Sequence, residues 1–513
     1  MKIQMKKQID CVTTGSQYVT RQGAFPQNQI VGRRFPRPGP DSILVCPIGG
    51  VGQIGMNWTL YGHDGKWILV DAGAAFAPRS ASGVEAIFPD PKSLRTILPN
   101  LSALIITHAH EDHIGAIHRL WPAMGVPILA TPFAAKIIGD RLKEAGCFDR
   151  VNLSTFEAGD TLAVGPFSIK TVRMTHSVPQ SVSLAISAAS GTVFHTGDWK
   201  LDPNPVIGLP TDLDALKEIG NRGVLGLLCD STNSDRRGHL TSELNVANTL
   251  PAIFHDTKGM VVLTCFSTNV ARIASFARAA AANGRQIAMS GRSLMKCEAA
   301  ARECGLLDGV PEFLYDVRHL RGLDHREMAL ICTGSQGEAN AAIGRLASGD
   351  DFRLPAIMPG DAFIHSARAI PGNEAAINEI LALLELRGAT VIRHDYKGGP
   401  VHVTGHAVAD EIEILYGLLK PRFSIPLHGE AKHLEAHEDI ARKAGVREVG
   451  VATGGDVWRV SRRRLDLVAR VRIEMLAALD RTGGSRIVPW DQVQNSPVLS
   501  DKVGEMTPSR LVA

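Results

Sequence analysis

Residues 103–120 read ALIITHAHEDHIGAIHRL, and the rest of the chain is read outward from them. The opening, Ala103 to Thr107, is apolar and β-branched, the composition of a short buried strand. Four side chains able to ligate a cation follow within six positions: His108, His110, Asp112 and His113. Ile114, Ile117 and Leu120 then recur at helical spacing, which predicts a helix beyond them. The ligands therefore fall on a loop between a strand's carboxyl end and a helix, where open α/β sheets build their sites. Imidazoles and a carboxylate, with no thiolate among them, suit zinc or a similar divalent ion in a hydrolytic site. Alternate residues of an extended loop point the same way, so His108 and His110 reach one ion and Asp112 and His113 a second.

Two later strand-like segments each end on a further ligand. KTVRMTHS carries His176 and GTVFHTGDW carries Asp198. Alone, a histidine at a strand end is usually structural and an aspartate usually caps a turn. Together with the 108–113 cluster they supply what a dinuclear site lacks, with His176 completing the first set and Asp198 bridging. Asp71, closing WILVDAG, is placed either to orient ligands or to make a turn. His118 and His195 are expected to be packing or surface residues. Residues 42–71 alternate short apolar runs with glycine-rich turns, a β-meander. The GGVGQIG within them is followed by a strand and not a helix, so it fails as a dinucleotide fingerprint.

From about Leu225 the pattern becomes strand-then-helix: GVLGLLCDSTN ending near Asp230, MVVLTCFSTN before a helix at 270–283, QIAMSGRS, then MALICTGSQGE before a helix beginning near Ala339. This alternation predicts a parallel sheet flanked by helices, inserted as a second domain. TGSQGE is a small-residue loop feeding a helix N-terminus, a favourable place for a phosphate. VHVTGHAVAD then brings His402, Thr404 and His406, and RFSIPLHGE ends a strand at His428. The chain is expected to return here to its first site. After Asp456 no compact domain is evident, and the arginines at 462–464 read as a solvated face.

The 513 residues are 44% hydrophobic and 21% charged, an ordinary globular balance. No apolar run is long enough to span a bilayer, and the basic N-terminus lacks the apolar core of a secretory signal. Eight cysteines are scattered without a CxxC pair, read as buried, reduced thiols of a cytoplasmic protein. Net charge is +3, but residues 1–40 hold seven Lys/Arg against one Asp, leaving −3 for the remainder. A globally basic nucleic-acid binder is not indicated; a local groove would have to do the binding. Residues 1–40 are expected to be a flexible basic leader.

In order, THAHEDHIGA, THSVPQS, HTGDWKLDPNP, CDSTN, GRS, TGSQGE, IPGNE, HVTGH and PLHGE resemble the motifs of the ribonuclease J family, the β-CASP nucleases of the metallo-β-lactamase fold. The resemblance runs from about Ser42 to Val457. It implies an αββα sandwich at 41–225 and 399–462, a β-CASP domain at 226–398 and a short tail at 463–513. It implies two Zn2+ ions, with Mn2+ or Mg2+ as substitutes. His108, His110 and His176 would hold one ion, Asp112, His113 and His428 the other, and Asp198 would bridge. Asp230 and His406 match the motifs beside the metals. Asp112 would serve as base, and His406 or His402 as proton donor. Thr333, Gly334, Ser335 and Gly337, with His402, Thr404 and Gly405, would bind phosphates of single-stranded RNA. The activity implied is RNA hydrolysis, 5′-to-3′ from monophosphorylated ends, with internal cleavage in some members. Alternatives are a DNA nuclease of the same superfamily and a non-catalytic RNA-binding subunit.

Two departures stand out: Thr404 replaces the commoner serine, and HSARAIPGN has fewer serines than usual. The short C-terminal region leaves homodimer and homotetramer both open.

Overall fold

The computed structural model describes residues 31–494 except 33, 77–80, 82, 239–240, 339, 371 and 480–485. Leu101–Ile105 is an interior strand of a nine-stranded sheet, flanked by Lys66–Val70 and Ile128–Ala130 in parallel. Residues alternate between its two faces, as period-two geometry requires. Ile43, Val45, Tyr61, Ile68, Val70, Ala103 and Ile105 enter one core, while Leu44, Cys46, Leu60, Leu69 and Leu104 enter another on the opposite side.

The first of these cores is shared with a seven-stranded sheet that contributes Ile169, Leu184, Ile186, Val193, Leu228 and Ile425. The outer face of that sheet, with Phe194, Leu227 and Cys229, is covered by the helices Leu213–Arg222, Ala409–Leu419 and Ala431–Lys443. Helices Ile117–Met124 and Pro132–Glu144 cover the outside of the larger sheet. Two sheets face to face between helices give the predicted αββα sandwich. Each fully buried large aliphatic side chain in these layers contributes about 1.5–3 kcal/mol.

The inserted domain is a five-stranded, wholly parallel sheet in the order Gln286–Ser290, Met328–Cys332, Val261–Thr264, Ala362–His365, Thr390–Ile392. It leaves and rejoins the sandwich between two neighbouring strands. Gly226–Asp230 pairs directly with Phe423–Leu427, Asp230 opposite Leu427. That register sets Asp230 and His428 at adjacent strand ends, on the edge where the histidine loop lies.

Five expectations need correction. Gly226–Asp230 belongs to the sandwich, so the inserted domain does not begin at 226. The segment from 463 is no tail: Leu465–Val471 is a strand of the larger sheet, and Met475–Leu479 pairs with Val84–Pro89. The strand carries no clean period-two signal, because only its end residues Leu465 and Val471 are buried. Of the expected leader, Val31–Gly32 pairs with Leu465–Val471, and Phe35 packs edge-on against Trp67 at 5.8 Å; residues 1–30, with Cys11, lie outside the described residues. The helix placed near Ala339 is Ala342–Ser348. The helix after the histidine loop is also broken in two, Glu111–Ile114 and Ile117–Met124, because the Ala116 N–H turns to the Ala72 carbonyl at 3.1 Å.

Candidate metal centre

Every ligand named from the sequence for a cation arrives at one place. The chain passes from Leu101–Ile105 into the loop bearing His108 and His110, then into the short helix Glu111–Ile114 carrying Asp112 and His113. This loop lies against the DAG segment so closely that a Cβ on Gly73 would stand 1.6 Å from the Asp112 carbonyl oxygen. Only glycine fits there. His176, Asp198, Asp230 and His428 join from the ends of the second sheet's strands.

Among the described residues, three groups of side chains could each hold an ion. They are His108, His110, His176 and Asp198; Asp112, His113, Asp198 and His428; and Asp198, Asp230, His406 and His428. His108 Nε2 and His176 Nε2 stand 3.1 and 3.0 Å from His110 Nδ1, and 3.7 and 3.8 Å from Asp198 Oδ2. On the other side, Asp198 Oδ1 faces His113 Nε2 at 3.2 Å and His428 Nδ1 at 2.9 Å, while His428 Nε2 lies 3.1 Å from Asp112 Oδ2. Asp198 belongs to all three groups and is 2% exposed.

The imidazoles are aimed by partners behind them. His113 Nδ1 donates to Asp71 Oδ2 at 2.7 Å, leaving Nε2 for the centre. Thr107 gives its hydroxyl proton to the same carboxylate at 2.8 Å, so His108 Nδ1, 3.0 Å from that hydroxyl, must donate to it. That again frees Nε2. His176 Nδ1 donates to the Gly405 carbonyl at 2.6 Å. Such partners fix the ring tautomer and raise ligand basicity. Asp71, held open between two roles on sequence, is the orienting residue. It takes a left-handed backbone, φ 60°, as does His428 at φ 51°; each costs about 1–3 kcal/mol and persists because the surrounding packing imposes it.

Electrostatics divides the cluster. Burial holds His108 and His176 well below the ordinary imidazole pKa and brings His110 to about 4. Burial would do the same to His113 and His428, but Asp198 and neighbouring carboxylates outweigh it and raise both well above the usual value. Asp198 is held well below the carboxylate range by His113, His428 and His406 against the effect of burial. Asp198 Oδ1 and His428 Nε2 are buried, and their polar neighbours at 2.9–3.2 Å are not aligned as hydrogen bonds. Buried polar atoms are normally satisfied, and this donor set of imidazoles and carboxylates is one that divalent cations take. The residues present therefore fit a divalent metal site.

Beside it, His406 Nδ1 bonds Asp230 Oδ2 at 2.8 Å. Thr404 Oγ1 accepts from Asn233 Nδ2 at 2.9 Å and from the His406 N–H at 3.2 Å, so its own proton remains free to donate. Gly405 serves the site through its carbonyl. His402 does not reach the cluster. It sits against Arg272 Nη1 at 3.5 Å, where burial and that guanidinium lower its pKa to about 3. The proton-donor role expected of it is not supported at this position.

The 333–337 loop turns its groups inward. Thr333 satisfies the start of Ala342–Ser348 itself, its carbonyl accepting from the Ile343 N–H at 3.0 Å and its hydroxyl from the Ala342 N–H at 3.4 Å. The Ser335 carbonyl accepts from His365 Nε2 at 3.0 Å. Gly334 and Gly337 have φ 115° and 79°, and a Cβ on them would stand 2.1 Å from Ile343 Cγ2 and 2.7 Å from Ala376 Cβ. Of the backbone donors there, the Thr333 and Gly337 N–H groups are spent on the Ser290 and Gly334 carbonyls and the Gln336 N–H on Glu338 Oε2.

Asn57 was not read as a site residue. Its amide nitrogen lies 3.1 Å from Asp112 Oδ2 and 2.9 Å from His113 Nε2; nothing in a glycine-rich hairpin distinguishes it from a turn residue. His195, expected to be a packing or surface residue, is buried and bonded to Tyr61 at 2.8 Å.

The same assignment follows from comparison with known proteins. A family model described as metallo-beta-lactamase superfamily matches residues 51–245, and one described as Ribonuclease J, beta-CASP domain matches 258–384. The chain is 40% identical over 425 residues to Ribonuclease J of Sinorhizobium meliloti, spanning 82% of this chain and 75% of that one. It is 36% identical over 411 residues to Ribonuclease J of Helicobacter pylori, spanning 80% and 59%. A crystal structure of a protein of unknown function from Enterococcus faecalis shares the fold, with a TM-score of 0.56 at 15% identity over 81% of this chain and 99% of the other. With both domain signatures, these relatives and a cation-binding cluster at the sandwich edge, the chain belongs to the ribonuclease J family of metal-dependent RNA hydrolases.

Proposed function

We propose that this protein hydrolyses single-stranded RNA with two Zn2+ ions, replaceable by Mn2+ or Mg2+, acting 5′-to-3′ from monophosphorylated ends and also cutting internally. The observation that supports two ions is Asp198, whose two carboxylate oxygens face opposite ligand sets. His108, His110 and His176 would hold one ion, and Asp112, His113 and His428 the other. Bound there, the cations would lower the pKa of an attacking water and neutralise charge developing on the phosphoryl oxygens. Asp112 accepts the nucleophile's proton. Asp230 fixes His406 by the 2.8 Å bond to Nδ1, leaving the opposite ring edge to donate to the leaving oxygen. The free hydroxyl proton of Thr404 and the backbone around Gly405 suit a phosphoryl oxygen. Recognition through backbone phosphates makes the reaction largely independent of base sequence.

End-labelled RNA separates the modes. The 5′-monophosphorylated strand is expected to release mononucleotides progressively, and the 5′-triphosphorylated strand to yield internal fragments. Chelation is expected to abolish both, and zinc or manganese to restore them. Cleavage that survives chelation, or preference for single-stranded DNA over RNA, would overturn the reading.

A further inference from the structure

His437 lies fully buried in the helix Ala431–Lys443. Burial lowers its pKa to about 4, so the ring is neutral and holds one N–H. Nδ1 lies 2.9 Å from Ser231 Oγ, and Nε2 lies 3.0 Å from Tyr416 Oη, which is itself 2.6 Å from Ser424 Oγ. The bonding fixes where each proton goes. Ser231 spends its hydroxyl proton on the Cys229 carbonyl at 3.3 Å, so His437 Nδ1 donates to Ser231. Nε2 then accepts from Tyr416, and Tyr416 accepts from Ser424. Every member of this series is satisfied between the second sheet and its covering helices, where buried polar groups must be paired.

None of these four side chains reaches the metal centre, yet the series ends beside it. Ser231 follows Asp230, whose Oδ2 holds His406 Nδ1 at 2.8 Å. Just beyond the anchored serine, the Thr232 N–H donates to Asp230 Oδ1 at 2.9 Å, so the turn orients both carboxylate oxygens. The same helix grips that turn a second time, one helical turn earlier, where the His433 carbonyl accepts from Ser234 Oγ at 2.6 Å. We infer that His437 is a positioning residue: its Nδ1–H, acting through Ser231, holds the Asp230 turn so that Asp230 presents His406 to the leaving oxygen. This deepens the ribonuclease reading, on which it rests.

Two substitutions, each keeping one half of the ring's bonding, separate positioning from plain support of the fold. His437→Asn puts an amide N–H where Nδ1 stands and gives up Tyr416; His437→Gln reaches Tyr416 and gives up Ser231. Each loses one buried hydrogen bond, so both are expected to unfold at similarly lowered temperatures. Single-turnover cleavage of saturating end-labelled RNA is expected to fall about 30-fold in H437Q, a fraction of what a positioned general acid contributes. H437N is expected to recover most of that rate, with RNA affinity and bound metal unchanged in both. Ser231→Ala is expected to share the loss and to add nothing to it in the H437Q background, because the two act as one unit. Tyr416→Phe is expected to keep the unmodified rate, and this pair repeats the comparison if a His437 variant does not fold. Equal rates on the Ser231 and Tyr416 sides, or additive losses in the double variant, would overturn the assignment. No RNA cleavage by the unmodified protein supplied with zinc or manganese would instead overturn the ribonuclease reading, and this one with it.

Discussion

The metal centre and the 333–337 loop are both polar, glycine-assisted turns at the ends of parallel strands, yet they are built in opposite senses. In the loop, polar groups close on their own domain: the Thr333 carbonyl and hydroxyl on the helix start, the Ser335 carbonyl on the His365 ring. At the centre, the hydrogen bonds lie behind the ligands. Asp71, Thr107 and Gly405 take the far ring nitrogens and leave the near ones facing Asp198. A turn bonded to its own domain serves structure, and a turn held from behind presents a site.

This contrast can be attacked directly. The largest effect is expected at the shared carboxylate: Asp198→Asn should lower RNA hydrolysis by about 1,000-fold or more, since charge stabilisation at the reacting phosphorus depends on both sides of it. Metal analysis of the purified variant should show loss of bound cation, and full activity with full occupancy would break the assignment of Asp198 as the common ligand. Next comes the support behind the ligands. Asp71→Ala should weaken cation affinity about 10–100-fold, read by competition with a fluorescent chelator.

Acidification sharpens the division within the cluster. A cation competes with protons for each imidazole. The 108, 110 and 176 rings, kept neutral by burial, lose no lone pair until the pH is well below 6.5. His113 and His428, raised above that value, take protons first as pH falls. The ion on the Asp112 side is therefore expected to leave at higher pH than the one on the His110 side, in two steps of metal release; simultaneous release would contradict the division. The smallest effect belongs to the loop. Thr333→Val should cost about 1 kcal/mol of stability, seen in thermal unfolding, with RNA affinity unchanged. A large loss of affinity without loss of stability would return that loop to the binding surface.

The difference in construction also explains what the sequence could disclose. His108, His110, Asp112 and His113 sit close enough in the chain for their spacing to carry chemistry, and the strand-end positions of His176, Asp198 and His428 follow from apolar runs. The inserted parallel sheet is legible in its repeated strand-then-helix units. Hydrogen bonds between residues far apart in sequence leave no such trace. Asn57 reaches Asp112 across 55 positions and His402 turns to Arg272 across 130, so one was passed over and the other over-read. The strands after Asp456 were hidden for a related reason: Arg470 pairs with Asp456 at 2.9 Å, a contact that makes sense of the arginine only once the hairpin exists.

The pairing of Gly226–Asp230 with Phe423–Leu427 has a consequence for how the protein is made. Synthesis runs from the N-terminus, so a ribosome exposes His108, His110, His176 and Asp198 long before it reaches His428. Until the excursion between those two strands has emerged and its ends have met, the Asp112 side of the centre lacks a ligand. A growing polypeptide of this kind cannot complete its cutting apparatus while still tethered early on the message that encodes it.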